Sequence, residues 1–176
     1  KLFNSKPLIY WTIKTALESD YIDRVIVSTE DDEIADLSRS FMAEVPFKRP
    51  TELASDNTKG IEPVLHALNN LSNVDNVLLL QPTSPLRKAI HIKEIFEIRS
   101  KYNSDSAVSI TPLRKNINLC FNLDSQNRLT PHTNDLKLLP RQEYKNSFVL
   151  NGALYLSTSE SILKKKSFIS SSTIGY

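Results

Sequence analysis

Residues 78–87 read LLLQPTSPLR, three leucines suited to a buried strand followed by Gln81, Thr83, Ser84 and Arg87 with Pro82 and Pro85 between them. A side-chain amide such as Gln81 reads a hydroxyl as donor and acceptor at once, and flanking prolines hold it at low entropic cost. In open α/β sheets, ligands sit beyond the carboxyl ends of the strands, where this stretch falls. The same residues also suit a plain strand-to-helix connection, with Ser84 as N-cap, Pro85 at the first helical position and Arg87 pairing locally.

Two further groupings carry recognition chemistry. Arg49 follows Lys48 in the polar segment VPFKRPTELASDNT, with Ser55, Asp56 and Thr58 close behind. An arginine fork holds a phosphate or a base carbonyl, and small polar residues line a pocket; solvated loop charge is the alternative. Arg141 and Gln142 stand before the last apolar run, where an arginine beside an amide suits a carboxylate with a neighbouring hydroxyl, or an exposed loop pair.

Other constellations point to no chemistry. His66, His91 and His132 lack metal-ligand spacing. The run EDDE at residues 30–33 suits the positive end of a helix, and KKK at 164–166 the negative end. No Ser-His-Asp set and no pair of catalytic carboxylates stands out, so the residues name no catalytic group and no metal ligand. Only three glycines occur, Gly60, Gly152 and Gly175, too scattered for a Gly-rich phosphate loop.

The elements that must position these residues follow from periodicity. Residues 6–19 form an apolar-faced helix opening near Pro7, and 24–29 (RVIVST) a short β-branched strand. Thr29 and Asp32 form a capping-box-like pair for a helix running to about Phe41. Helices over 61–71 and 88–102, with strands over 76–81 and 105–111, continue the alternation. This order predicts an open, largely parallel α/β sheet, and a chain opening on a packed helix predicts a further strand ahead of it. From 112 to 146 the alternation lapses. INLCFNLDSQNRLTP has the pattern of a hairpin turning at 124–127, suited to an arm that pairs with a second subunit or to a surface excursion. SFVLNGALYLS resumes as a core strand with Gly152 inside it, where glycine marks a bulge or a close ligand approach. A short helix at 160–165 and a strand near 168–171 complete the reading.

Composition bounds the rest. With 176 residues, 40% of them hydrophobic, the chain suits one domain with a continuous core. A net charge of +2 gives no basic stripe for nucleic acid. The single cysteine, Cys120, excludes an intrachain disulfide framework and fits a reducing, cytoplasmic setting. No apolar run approaches the ~20 residues that span a bilayer.

Taken in order, residues 6–58, the stretch LLLQPTSPLR, and PRQEYKNSFVLNGALYLS resemble the acylneuraminate cytidylyltransferases, the CMP-sialic and CMP-nonulosonic acid synthetases. The resemblance implies a Rossmann-like nucleotidyltransferase fold, with a largely parallel sheet, helices on both faces and a β-hairpin-containing dimerisation insertion over 112–146. It implies Mg2+-dependent reaction of CTP with a nonulosonic acid, giving the CMP-sugar and pyrophosphate for surface glycan synthesis in a cytoplasmic homodimer.

By resemblance, Arg49 stands on the cytosine side, with Ser55, Asp56 and Thr58 in the adjacent wall. Gln81, Thr83 and Ser84 floor the sugar pocket; Arg141 and Gln142 read the sugar acid, and Asn151 and Tyr155 lie beside it. Gly60 departs from the family, many of whose members place a small hydroxyl residue there. Members also carry a strand and a loop resembling RxGSKxxxxKN ahead of the segment that opens here at Lys1, and a metal-binding aspartate pair beyond the position of Tyr176. The expectation is therefore one nucleotidyltransferase-like domain over 1–176 that belongs to a longer protein. A non-catalytic sugar-binding or scaffold module derived from the same fold is the alternative, and the sugar itself is not legible.

Overall fold

The computed structural model describes residues 1–133 and 140–176. Two compact units result: Lys1–Ser109 with Gly152–Tyr176, and Ile110–Asn151.

The first unit opens on a tight hairpin, β1 (Leu2–Phe3) and β2 (Lys6–Pro7), turned by Asn4 and Ser5, both at positive φ. A two-residue turn of that hand matches the twist of its strands. Pro7, with its φ preset, leads directly into α1 (Leu8–Leu17), which buries Ile13 and Ala16. α2 (Asp32–Ser40) is capped by the Asp31 carboxylate, which accepts from Ile34 N–H at 2.9 Å. Thr29 Oγ1 accepts from Asp31 N–H just before it, so the N-cap is Asp31, two residues after the expected Thr29 of the Thr29–Asp32 pair.

α3 (Glu62–Asn69), β3 (Asn76–Leu79) and α4 (Ala89–Lys101) follow. α4 begins four residues past Pro85, so Ser84 is not its N-cap. Lys88 holds that position, its N–H donating to His91 Nδ1 at 3.3 Å. The intervening turn needs its backbone for other bonds, described below.

Further along come β4 (Ser106–Pro112), β5 (Phe121–Leu123), β6 (Leu129–Pro131), β7 (Phe148–Thr158), α5 (Ser159–Lys165) and β8 (Ile174–Gly175). The main sheet has the order β3-β7-β4-β8. β7 runs antiparallel to β3, while β8 runs parallel to β4, so the described sheet is mixed rather than largely parallel. The last strand lies past the predicted 168–171. There Ser170 N–H donates to Thr173 Oγ1 and Thr173 N–H to Ser170 C=O, a local turn that competes with a ladder.

The core sits where α4 covers this sheet: Ile92, Ile95 and Leu156 are fully buried, joined by Ala107 and Leu154. β-strand alternation explains Leu154 and Leu156 sharing a face, and helical spacing explains Ile92 with Ile95. The predicted strand at 24–29 is extended but joins no ladder. Its one bridge is parallel, Ile26 to Glu44, with Glu44 N–H on Val25 C=O and Val27 N–H on Glu44 C=O, both at 2.8 Å. That pattern turns the N–H and C=O of Ile26 to the opposite edge.

In the second unit β5 and β6 pair as the predicted hairpin. Asp124 Oδ1 accepts from the N–H groups of Gln126 and Arg128, and Asn127 sits at φ 58°, an Asx-type closure. Asn116 Nδ2 donates to Lys145 C=O at 2.6 Å and thereby closes the loops of this unit.

Candidate functional site

The turn after β3 is built around a buried arginine. Arg87 Nη2 donates to Gln81 C=O at 2.8 Å, Nε to Ala153 C=O at 2.9 Å, and Nη1 to Thr12 Oγ1 at 3.4 Å. Its own carbonyl accepts from Thr15 Oγ1. Burial pulls the guanidinium down to about 10, so it stays charged at neutral pH. The alternative reading of Arg87 as pairing locally is thereby corrected: its fork holds one backbone carbonyl from the turn after β3 and one from β7.

With its carbonyl held, Gln81 leaves its side chain exposed at the strand end, and Thr83 is exposed beside it. Ser84, half-buried, closes the turn through its N–H on Gln81 C=O and its C=O under Arg87 N–H, each at 3.3 Å. Gly152 stands under the Gln81 amide at φ 76°, and a Cβ there would lie 2.6 Å from Gln81 Oε1. The glycine inside the strand thus marks a close approach, by a side chain of this chain. Tyr155 pairs across the sheet with Leu79, and its ring packs on Phe168 at 5.8 Å.

Arg49 is anchored at both ends. Its N–H donates to Thr29 C=O at 2.9 Å, and its guanidinium grips the Glu30 carboxylate through Nε and Nη2. The hydrogen bond from Arg49, then that of a backbone N–H, hold the Glu30 carboxyl below its usual range. Lys48 pairs with Asp32. The EDDE run therefore does more than favour a helix dipole, because Glu30 sets the direction of Arg49. Nothing in the spacing of the two residues, nineteen apart, signals this.

Ser55 and Thr58 hydroxyls bond each other at 2.9 Å, and Thr58 Oγ1 donates to Glu52 C=O, which rigidifies the loop after a 3-10 turn at Thr51–Ala54; Asp56 is exposed between them. In the second unit, Arg141 and Gln142 fall in another 3-10 turn, Arg141–Glu143. The Arg141 side chain lies outside the described residues. Asn151 Nδ2 donates to Ile110 C=O at 3.2 Å and to Thr111 Oγ1 at 3.4 Å.

A cavity of about 720 Å3 in the first unit brings several of these residues together. Thr29, Arg49, Gly60, Gln81 and Pro82 line it, over an apolar interior that includes Ile26, Val64 and Leu78. Residues 24–29 form one wall and 73–82 the other, so two extended segments face each other across it. Each is held on its far side, one by Glu44 and the other by β7. Ser28 Oγ on the first wall is buried without a partner. Thr83, Ser84, Ser55, Asp56 and Thr58 are not among the lining residues. Chemically, the polar rim offers a carboxylate-anchored guanidinium and an exposed amide. These suit recognition of carbonyls, hydroxyls and anionic oxygens more than bond-breaking by a nucleophile.

Comparison with known proteins bears on what that rim recognises. The family described as Cytidylyltransferase matches residues 1–172. The chain is 36% identical to the CMP-N,N'-diacetyllegionaminic acid synthase of Legionella pneumophila, over 98% of this chain and 76% of that protein. It is 31% identical to the N-acylneuraminate cytidylyltransferase of Streptococcus agalactiae serotype V, over 98% of this chain but only 42% of that protein. Among solved structures it resembles CMP:2-keto-3-deoxy-manno-octonic acid synthetase complexed with CTP, with a TM-score of 0.68, 13% identity, and coverage of 94% of this chain and 69% of that one. At that identity the likeness is one of fold.

Proposed function

This chain belongs to the cytidylyltransferase family, and on that premise we propose that it is the core of an enzyme that activates a nonulosonic acid with CTP. The anomeric hydroxyl of the 2-keto sugar acid attacks the α-phosphorus of CTP; the bond from that phosphorus to the bridging oxygen breaks, and pyrophosphate leaves. Catalysis of this kind rests on positioning and on neutralising phosphate charge.

The observation that carries the reading is the rim shared by Arg49 and Gln81. Arg49 faces the cytosine side, aimed by Glu30, with Ser55, Asp56 and Thr58 in the stiff loop beside it. Gln81 presents its amide to a sugar hydroxyl, with Thr83 and Ser84 in the same turn and Tyr155 behind. By the resemblance, Arg141 and Gln142 are the pair that reads the sugar acid, and Asn151 belongs beside it. Among the described residues no three His, Cys, Asp or Glu side chains stand together as a metal cage. No residue of this chain is therefore assigned to the Mg2+ that the resemblance implies, and no step here runs through it.

The strand expected ahead of α1 suits the cavity between residues 24–29 and 73–82. An extended segment there pairs with Ile26 on one side and the free edge of β3 on the other, and covers the apolar interior. The hairpin arm supports a homodimer. Leu123 and Leu129 are more than 60% exposed, and Phe148, Val149 and Leu150 are exposed in the same unit, an apolar surface that a second copy would cover. No helix among the described residues is long and apolar enough to cross a membrane, and the cytoplasmic setting remains part of the proposal.

The test is pyrophosphate release from CTP and Mg2+ with N-acetylneuraminic, legionaminic and pseudaminic acids offered separately, for this chain and for a version extended at both ends. Turnover of one sugar acid by the extended protein is the expected result. A soluble, dimeric extended protein that releases pyrophosphate with none of them would count for the binding-module alternative.

A further inference from the structure

Arg87 is 6% exposed, yet none of the ion pairs among the described residues includes it. Its three side-chain contacts are neutral oxygens: Gln81 C=O, Ala153 C=O and Thr12 Oγ1. A buried cation without a counter-charge is costly, and neutral acceptors alone do not require one. What the guanidinium supplies is a planar fork, two N–H groups at fixed angles, which an ammonium cannot offer.

The two carbonyls in that fork flank one point. One belongs to Gln81, the other to the residue after Gly152, and Gly152 is where the Gln81 amide comes to rest. We infer that Arg87 is the positioning residue of the sugar pocket: its fork ties the turn after β3 to β7 so that the Gln81 amide is held over Gly152, ready to meet the sugar acid. The inference rests on the reading that this amide contacts the sugar. Its un-neutralised charge lies directly behind the turn, where it also favours an anionic ligand over a neutral one.

The experiment uses the extended protein with Arg87→Lys, which keeps the charge and loses the fork, and Arg87→Met, which loses both. Two readouts are taken: amide hydrogen exchange over residues 78–87 and 152–158, and steady-state KM for CTP and for the sugar acid separately. Both variants are expected to speed exchange in the 81–87 turn by about tenfold or more while 154–158 and α4 keep their protection. KM for the sugar acid rises by about tenfold and KM for CTP stays within about twofold. Arg87→Lys performs no better than about a few-fold above Arg87→Met, because geometry and not charge is lost.

Unchanged exchange in the turn overturns the inference. So does a uniform loss of protection across the first unit with both KM values rising together, the mark of a merely structural arginine. If the wild-type protein turns over no sugar acid, the reading of the reaction fails by itself, and the exchange pattern still decides whether Arg87 holds the turn.

Discussion

Gln81 Oε1 lies 2.6 Å from the point where a side chain on Gly152 would begin, and Gly152 occupies a left-handed backbone conformation at φ 76°. The Gln81 amide is thus seated on the one position of β7 that offers no Cβ. Replacing Gly152 by alanine strains the backbone and pushes the amide away at once. Gly152→Ala is expected to lower stability by about 1–2 kcal/mol and to raise KM for the sugar acid. Denaturant midpoints beside kinetics in the extended protein check both.

Gln81 itself is exposed. Gln81→Ala should therefore leave stability within about 0.5 kcal/mol, while kcat/KM for the sugar acid falls about 10- to 100-fold. A large loss of stability with unchanged kinetics would assign the amide to the fold instead.

The Glu30 carboxyl is held below its usual range, first by the hydrogen bond from Arg49. A carboxyl depressed in the folded state adds stability above its unfolded value, about 4.3, and loses it as pH falls through the lower, folded value. Glu30→Gln should then be less stable than wild type at pH 7, by about 1 kcal/mol or less for a pair partly open to water. The gap should close in acid. Urea midpoints at pH 7 and pH 3 measure it, and KM for CTP in the same variant reports whether Arg49 has lost its aim.

Leu156 is fully buried against Ile92 and Ile95. Leu156→Ala should cost about 3 kcal/mol, read as a shift in denaturant midpoint, far above any effect at Gln81.

If the proposed strand fills the cavity, a version extended at its N-terminus should protect the Ile26 amide from hydrogen exchange, because its N–H points away from the Glu44 bridge and toward the cavity. Protection at Ile26 in the extended protein, and its absence in the chain of 176 residues, is the expected contrast. Equal exchange in both would mean that the strand lies elsewhere.

Local patterning carried much of this molecule in the sequence. Ile92 and Ile95 at helical spacing, Leu154 and Leu156 at strand spacing, and Asp124–Asn127 as a turn follow from side-chain periodicity and turn chemistry, which depend on near neighbours only. Gln81 at the end of a strand and Arg49 in a polar loop were legible as residue types suited to recognition, and the ordered motifs indicated the family.

Tertiary structure alone decided what those residues lean on. Arg87 meets Ala153 across 66 positions, Arg49 meets Glu30 across 19, and Gly152 meets Gln81 only because β7 pairs with β3. The antiparallel direction of that pair and the loose 24–29 segment were likewise beyond the pattern. A sequence records which faces are apolar and which turns are stiff. Which strand lies beside which is set by the summed burial of distant segments, and the partners of buried polar groups follow from that pairing.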